Sequence, residues 1–289
     1  MQEIIWHIFS HAIIDSLWLL PFLFVTYFCM ELLEHKAGDK VKGVIVKTGR
    51  AGPILGGLVG LVPQCGFSAA CAGLFAGGIV TPGTLLAVFL ATSDEMIPIF
   101  LGSNVPPLKI LTVLSIKLIV AVGIGFLVDA LTAKRRSALE ISELCEEENC
   151  HCEKHGVWVS SLIHTAKIFA FVLVINLALT ASFELIGEDN IAAVIGKIPV
   201  LDVVLSALVG LIPNCAASVL VATLWTKGII SGGAMIAGLL TGAGAGLLVL
   251  YRTNKRIKKN LILTAVLLLV GIAVGVILEV SGLATLLGL

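Results

Sequence analysis

The chain has 289 residues, of which 58% are hydrophobic and only 13% charged, and its nineteen basic and nineteen acidic side chains cancel to zero net charge. Mean hydropathy is +1.06. A water-soluble domain carries roughly a quarter charged residues and a nucleic-acid binder needs a basic field, so both classes are excluded in favour of a polytopic membrane protein.

The opening stretch "MQEIIWHIFSHAIIDSLWLL" lacks the basic region and small-residue cleavage site of a secretory signal. It leads into a first long helix at about residues 12–33. A basic loop (34–50) precedes an apolar stretch, 51–80, interrupted by Pro63, and helices at about 82–101 and 108–131 complete a first half. After a charged linker the order returns. An interfacial segment, "GVWVSSLIHTAK", is followed by a long helix at about 168–187 and an acidic loop. An apolar stretch (201–230) interrupted by Pro213 and helices at about 231–251 and 261–287 close the chain. Several of these runs approach the roughly 20 apolar residues that span a bilayer as a helix, and the alternating segments of a membrane barrel are absent.

The two halves are spelled alike. "LVGLVPQC" (58–65) and "LVGLIPNC" (208–215) lie at an offset of 150. The same offset pairs Ser68 with Ser218, Gly83 with Gly233, Gly125 with Gly275 and Asp129 with Glu279. An ungapped register of this length indicates internal duplication, with repeats 1–133 and 157–289 joined by a linker at 134–156. Segments 34–50, 132–157 and 251–260 hold fourteen of the nineteen Lys and Arg residues, which places them in the cytoplasm and both termini outside. Loop 34–50 is basic where its counterpart is acidic, and loop 102–109 is nearly neutral where "YRTNKRIKK" is basic. The expected fold is therefore an all-α polytopic membrane protein of two inverted-topology repeats with five elements each. Residues 50 and 81 share a face, so each Pro-broken stretch reads as a re-entrant hairpin, and the two tips, at 63–65 and 213–215, are expected to meet near the midplane.

Three groups of residues carry candidate chemistry. At the tips, Gln64 and Asn214 offer donors and an acceptor, Cys65 and Cys215 soft sulfur, and Ser68 and Ser218 hydroxyls, a set suited to substrate binding. In "TSDEMIP" (92–98), Asp94 and Glu95 sit inside an otherwise apolar helix, and acids at that depth are functional candidates. Lys117 lies at the depth of Asp94 on the next helix, so the three are assigned to ion coupling. The linker sequence "ELCEEENCHCEKHG" supplies Cys145, Cys150, Cys152 and His155 as possible cytoplasmic metal ligands. No phosphate-binding loop occurs, which excludes ATP coupling within the chain. No catalytic residue or catalytic cofactor is expected.

"GLVPQCGFSAA", "GLIPNCAAS", "ATSDEMIP" and "CEEENCHCE" together resemble a bacterial family of manganese transporters or arsenic efflux permeases, heavy-metal exporters with about ten membrane segments. The resemblance runs over nearly the whole chain and implies a function at Pro63-Gln64-Cys65, Pro213-Asn214-Cys215 and Asp94-Glu95. The resulting expectation is an ion-coupled secondary transporter of the bacterial inner membrane. It would export a divalent metal or metalloid, use a proton or cation as coupling partner, and possess a surface for homodimerisation. A transporter of an organic solute or anion, and an intramembrane thiol enzyme or sensor using Cys65, are the competing expectations.

Overall fold

A computed structural model describes residues 51–93, 96–132, 157–186, 201–286 and 289, together with 20, 21, 23–25, 27 and 28. The elements within it are helices: α1 (Gly52–Gly60), α2 (Cys65–Ala76), α3 (Pro82–Ala91), α4 (Met96–Gly102), α5 (Pro107–Thr132), α6 (Val157–Ile186), α7 (Leu201–Gly210), α8 (Cys215–Thr226), α9 (Gly232–Thr241), α10 (Ala245–Thr253), α11 (Ile257–Val280) and α12 (Leu283–Leu286).

Glycine spacing sets the direction of the first hairpin arm. Gly52, Gly56 and Gly60 recur every fourth residue and form one bare face of α1, the small-residue pattern that lets helices approach closely. A Cβ on Gly56 would lie 3.0 Å from the Thr84 carbonyl oxygen, and one on Gly60 would lie 2.6 Å from that of Val88. Gly52 also abuts Thr84, so α1 and α3 run parallel and begin at the same level. The chain leaves α1 beside Val88 and Ala91 yet must return to start α3, which obliges α2 to run back. The arms contain 9 and 12 residues, about 14 and 18 Å at helical rise, against about 30 Å of hydrocarbon. Residues 51–80 therefore form a hairpin that enters and leaves at one end. The second half repeats the device. Asp202 Oδ2 accepts from Ser231 N at one level, while a Cβ on Gly210 would meet Gly238 O at the other.

Matching positions cap both halves. Thr81 and Ser231 are N-caps whose hydroxyls each accept from the N–H three residues on, Thr84 and Ala234, at 3.1 Å. Asp129 Oδ1 accepts from Gly83 N at 3.0 Å, and Glu279 Oε2 accepts from Gly233 N at 3.2 Å. A carboxylate thus faces the positive end of α3 and of α9. Gly78 and Gly228, in the turns after α2 and α8, both adopt a φ of +70°. The pairs 81/231, 83/233, 129/279 and 78/228 all keep the offset of 150.

The structure corrects the expectation of continuous helices at 82–101 and 231–251. Thr92 and Ser93 are non-helical and α4 opens at Met96, while Gly242, Ala243 and Gly244 separate α9 from α10. Different chemistry makes the two breaks. Pro98 has no N–H, and in an unbroken helix its ring would clash with the carbonyl of residue 94. Gly244 takes φ 54°, ψ −147°, a conformation open essentially to glycine alone. A second correction concerns "GVWVSSLIHTAK": no proline or glycine follows Gly156 there, and the segment forms the first turns of α6, with Trp158 4.6 Å from the Phe28 ring.

Burial orders the stack. In the apolar windows of the two broken spans, 69% (82–102) and 89% (232–253) of residues are buried, against 28% for each of the unbroken helices α5 and α11. Leu131, Ile119, Leu269 and Val280 on those outer helices expose 65–75% of their surface, as suits a lipid-facing layer. Gly125 of α5 and Gly275 of α11 pack on the backbone of Gly83 and Gly233. Helices of opposite halves also meet, α2 against α10 and α4 against α8. Phe100 of α4 lies 5.0 Å from Trp225 of α8, and Lys109 Nζ stands 6.0 Å over the same Trp225 ring. Residues 102 and 226 therefore lie at the same end of the stack.

Gly83→Ala and Gly123→Ala separate close packing from simple helix propensity. The first would put a Cβ 2.0 Å from Gly125 O, whereas a Cβ at Gly123 meets nothing within 4 Å. Gly83→Ala is expected to cost about 1–3 kcal/mol, read as a lower melting temperature in detergent, and Gly123→Ala to be neutral or up to about 1 kcal/mol stabilising. Equal melting temperatures for the two variants would contradict the packing described.

Candidate functional site

The breaks leave backbone groups without helical partners at the centre of the stack, a placement hydrocarbon does not tolerate unless protein or a cavity receives them. Lys117 receives two. Its side chain is fully buried, and Nζ donates to the carbonyl oxygens of Thr92, at 2.5 Å, and Leu239, at 2.6 Å. The first carbonyl sits at the C-terminal end of α3 and the second in the last turn of α9. One ammonium therefore bridges the two halves where two helix dipoles present their negative ends. The position 150 residues later is the buried Leu267, so the bridge has no counterpart in the second half.

Beside this bridge lies a cavity of about 10 Å³ lined by Thr92, Ser93, Met96, Asn214, Ser218, Leu239, Gly242 and Gly244. It joins the first break, the second break and the tip of the second hairpin. Thr92, Ser93, Met96 and Asn214 are all more than nine-tenths buried. The hydroxyls are anchored to local backbone: Thr92 Oγ1 donates to Val88 O at 2.7 Å, Ser93 Oγ to Ala91 O at 2.9 Å, and Ser218 Oγ to Cys215 O at 2.8 Å. Asn214 is the N-cap of α8, its Oδ1 accepting from Ala216 N at 3.0 Å.

The sequence-derived tip residues separate here. Asn214 and Ser218 line the cavity, whereas Gln64, Cys65, Ser68 and Cys215 are not among its lining residues. Gln64 occupies the N-cap of α2 without a side-chain capping bond. Ser68 donates to Cys65 O at 2.8 Å and packs on α10, where a Cβ added to Gly246 would lie 2.7 Å from the Ser68 Cβ. The corresponding pair, Ser218 with Met96, carries a long side chain in place of that glycine and borders the cavity instead. The cavity thus lies on the side of the second tip, and at the first tip Gly246 lets α10 pack directly on Ser68. Thr92, Ser93, Gly242 and Gly244 were not read as site residues from the sequence. Their signal was Pro98 in one half and the Gly-x-Gly at 242–244 in the other, at matching places in the repeat. Asp94 and Glu95 lie outside the described residues, as do Cys145, Cys150, Cys152 and His155 of the linker.

A family model described as "Putative, 10TM heavy-metal exporter" matches residues 4–189 and 166–287. The chain belongs to this family. Its members are membrane transporters by that description, in keeping with four helical spans long and apolar enough to cross a bilayer among the described residues. No match was found among curated proteins or among solved structures.

Lys117→Met tests the bridge, since it orphans two buried carbonyls while keeping a similar stem. A loss of about 1–3 kcal/mol per orphaned group is expected, measured as a depressed melting temperature. Leu267→Met, at the corresponding place in the second half, is expected to stay near wild type. Melting temperatures that fall equally in both would show that Lys117 acts only as filling.

Proposed function

We propose that this heavy-metal exporter works as an ion-coupled secondary transporter, passing a divalent metal or metalloid through the region where its two broken helices meet. The observation that supports this reading is the meeting of two breaks, one from each half, at one small cavity. An inverted repeat requires such an arrangement, and exchange of the two halves' conformations would open the central region first to one face and then to the other. The small cavity at the breaks is the occluded position on that path. Asp94 and Glu95, which follow Ser93 in the sequence, are the coupling groups, and Lys117 offsets one of their charges. A homodimer and a metal-capturing linker remain compatible additions to this scheme, each with its own residues to test.

Flux in proteoliposomes tests the scheme. Wild-type protein is expected to move manganese, cadmium or arsenite against its gradient when an ion gradient is imposed, and Asp94→Asn with Glu95→Gln is expected to reduce that flux to background. Full-rate coupled transport by the double variant would remove the acids from the mechanism. Covalent modification of Cys65 in a protein that shows no vectorial flux would point instead to a thiol-based activity.

A further inference from the structure

We propose that the cavity where α9 begins holds the headgroup of a phospholipid ending in a primary ammonium, with Glu279 as the acceptor for that ammonium. The site stands apart from the helix breaks, so lipid binding there does not depend on which cargo the protein moves.

A space of about 240 Å³ lies there, with Trp225, Ile230, Ser231, Glu279, Ala284 and Leu289 in its lining. Comparison of the two halves shows what Glu279 has to spare. Its counterpart Asp129 uses both oxygens: Oδ1 accepts from Gly83 N at 3.0 Å and Oδ2 from the Thr81 hydroxyl at 2.7 Å. Glu279 is one methylene longer. Its Oε2 accepts from Gly233 N at 3.2 Å, while Oε1 accepts no hydrogen bond among the described residues. One oxygen holds the helix end and the other is left for a ligand. The local charge differs as well. Asp202, buried in the first turn of α7, stands where the first half has Gly52, and its Oδ2 accepts from Ser231 N at 3.3 Å. Two carboxylates therefore meet one helix N-terminus, which supplies only about half a positive charge. The excess is negative and suits a cation.

Size and surroundings narrow the cation to a lipid headgroup. The space is far larger than a single ion or water fills, and it falls just below the usual range for small-molecule sites. Its walls are mostly apolar, and the Trp225 ring among them is a surface suited to an organic ammonium. Basic groups flank it. Lys109 Nζ stands 6.0 Å over the Trp225 ring, and the exposed Lys227 precedes Gly228 of the lining. An acid in the lining with basic groups around it matches a zwitterion, its ammonium toward Glu279 and its phosphate toward the lysines. Position agrees. The 24 residues of α11 span about 36 Å at helical rise, so its end at Val280 reaches the edge of a hydrocarbon layer about 30 Å thick. Ile277, Val280 and Leu283, close to Glu279 in the chain, are exposed apolar side chains, a surface along which acyl chains can lie.

The test is native mass spectrometry of the full-length protein released from detergent, with phosphatidylethanolamine and phosphatidylglycerol added in turn. The wild type is expected to bind phosphatidylethanolamine about tenfold more tightly than phosphatidylglycerol, the margin of a hydrogen bond between charged groups. Glu279→Gln keeps an acceptor for Gly233 N and removes the charge. It is expected to lose that preference at a melting temperature near wild type. Ala284→Leu fills the space and leaves the carboxylate, and it is expected to weaken phosphatidylethanolamine binding as well. Equal binding of the two lipids by the wild type, or a wild-type preference retained in Glu279→Gln, would overturn the assignment. Should one variant fail to fold, the other decides, and undiminished phosphatidylethanolamine binding in Ala284→Leu counts against the site. Should both fail, the wild-type preference decides. A last arm adds O-phosphoethanolamine, the headgroup without its chains. Displacement of the lipid by that compound at comparable concentration would reveal a site for a free amine and overturn the lipid assignment.

Discussion

A helix interrupted in the middle of a membrane leaves carbonyls and amides with no water to turn to, and everything central in this protein answers that constraint. The carbonyls of Thr92 and Leu239 belong to different halves of the chain, and both are satisfied by one ammonium. An uncompensated charge at such depth would be prohibitively expensive, while a charge placed on two carbonyls at helix C-termini meets groups already polarised to receive it. Lys117 and the breaks therefore require each other. The outward faces of α5 and α11 can be plain hydrocarbon because their polar side chains turn inward.

The two halves share their frame and differ at the breaks. The acid that caps α3 from α5 and the acid that caps α9 from α11 occupy matching positions, as do the hydroxyl caps and the left-handed glycines. These features hold helix ends in register and have no reason to differ between halves. The central region departs from that rule at three places: Lys117 stands opposite Leu267, Thr92 opposite Gly242, and Met96 opposite Gly246. At each of these places the first half carries a functional side chain and the second an inert or minimal one, so the halves differ where the breaks meet.

Much of the frame can be read from residue order because its causes are local. The offset of 150, the short arms on either side of Pro63 and Pro213, and the glycines at 52, 56 and 60 lead to hairpins without any knowledge of packing. The breaks at Thr92–Ser93 and at Gly242–Gly244 leave a fainter trace in the sequence. Hydropathy averages over many residues, and an interruption of two or three positions vanishes between apolar flanks. Pro98 points to its break only when its clash with residue 94 is considered, and Gly244 points to its own only through a backbone angle. Depth counting brought Lys117 to the level of the TSDE motif, which agrees with its bond to Thr92. The bond to Leu239 depends on how the halves pack, and no spacing within one half encodes that. The tip residues illustrate the same limit, since Asn214 and Gln64 have the same role in the text and different surroundings in space.

The two breaks also differ in permanence. Pro98 lacks the N–H that an unbroken helix would use, so no rearrangement of its neighbours can heal the first interruption. Nothing covalent forbids residues 242–244 from becoming helical, because glycine reaches helical angles as readily as the left-handed ones seen at Gly244. One interruption is written into the bonds of the chain and the other is maintained only by its surroundings. Of the two central rods, the second alone can straighten, and the freedom to lengthen or shorten at the core resides in that half.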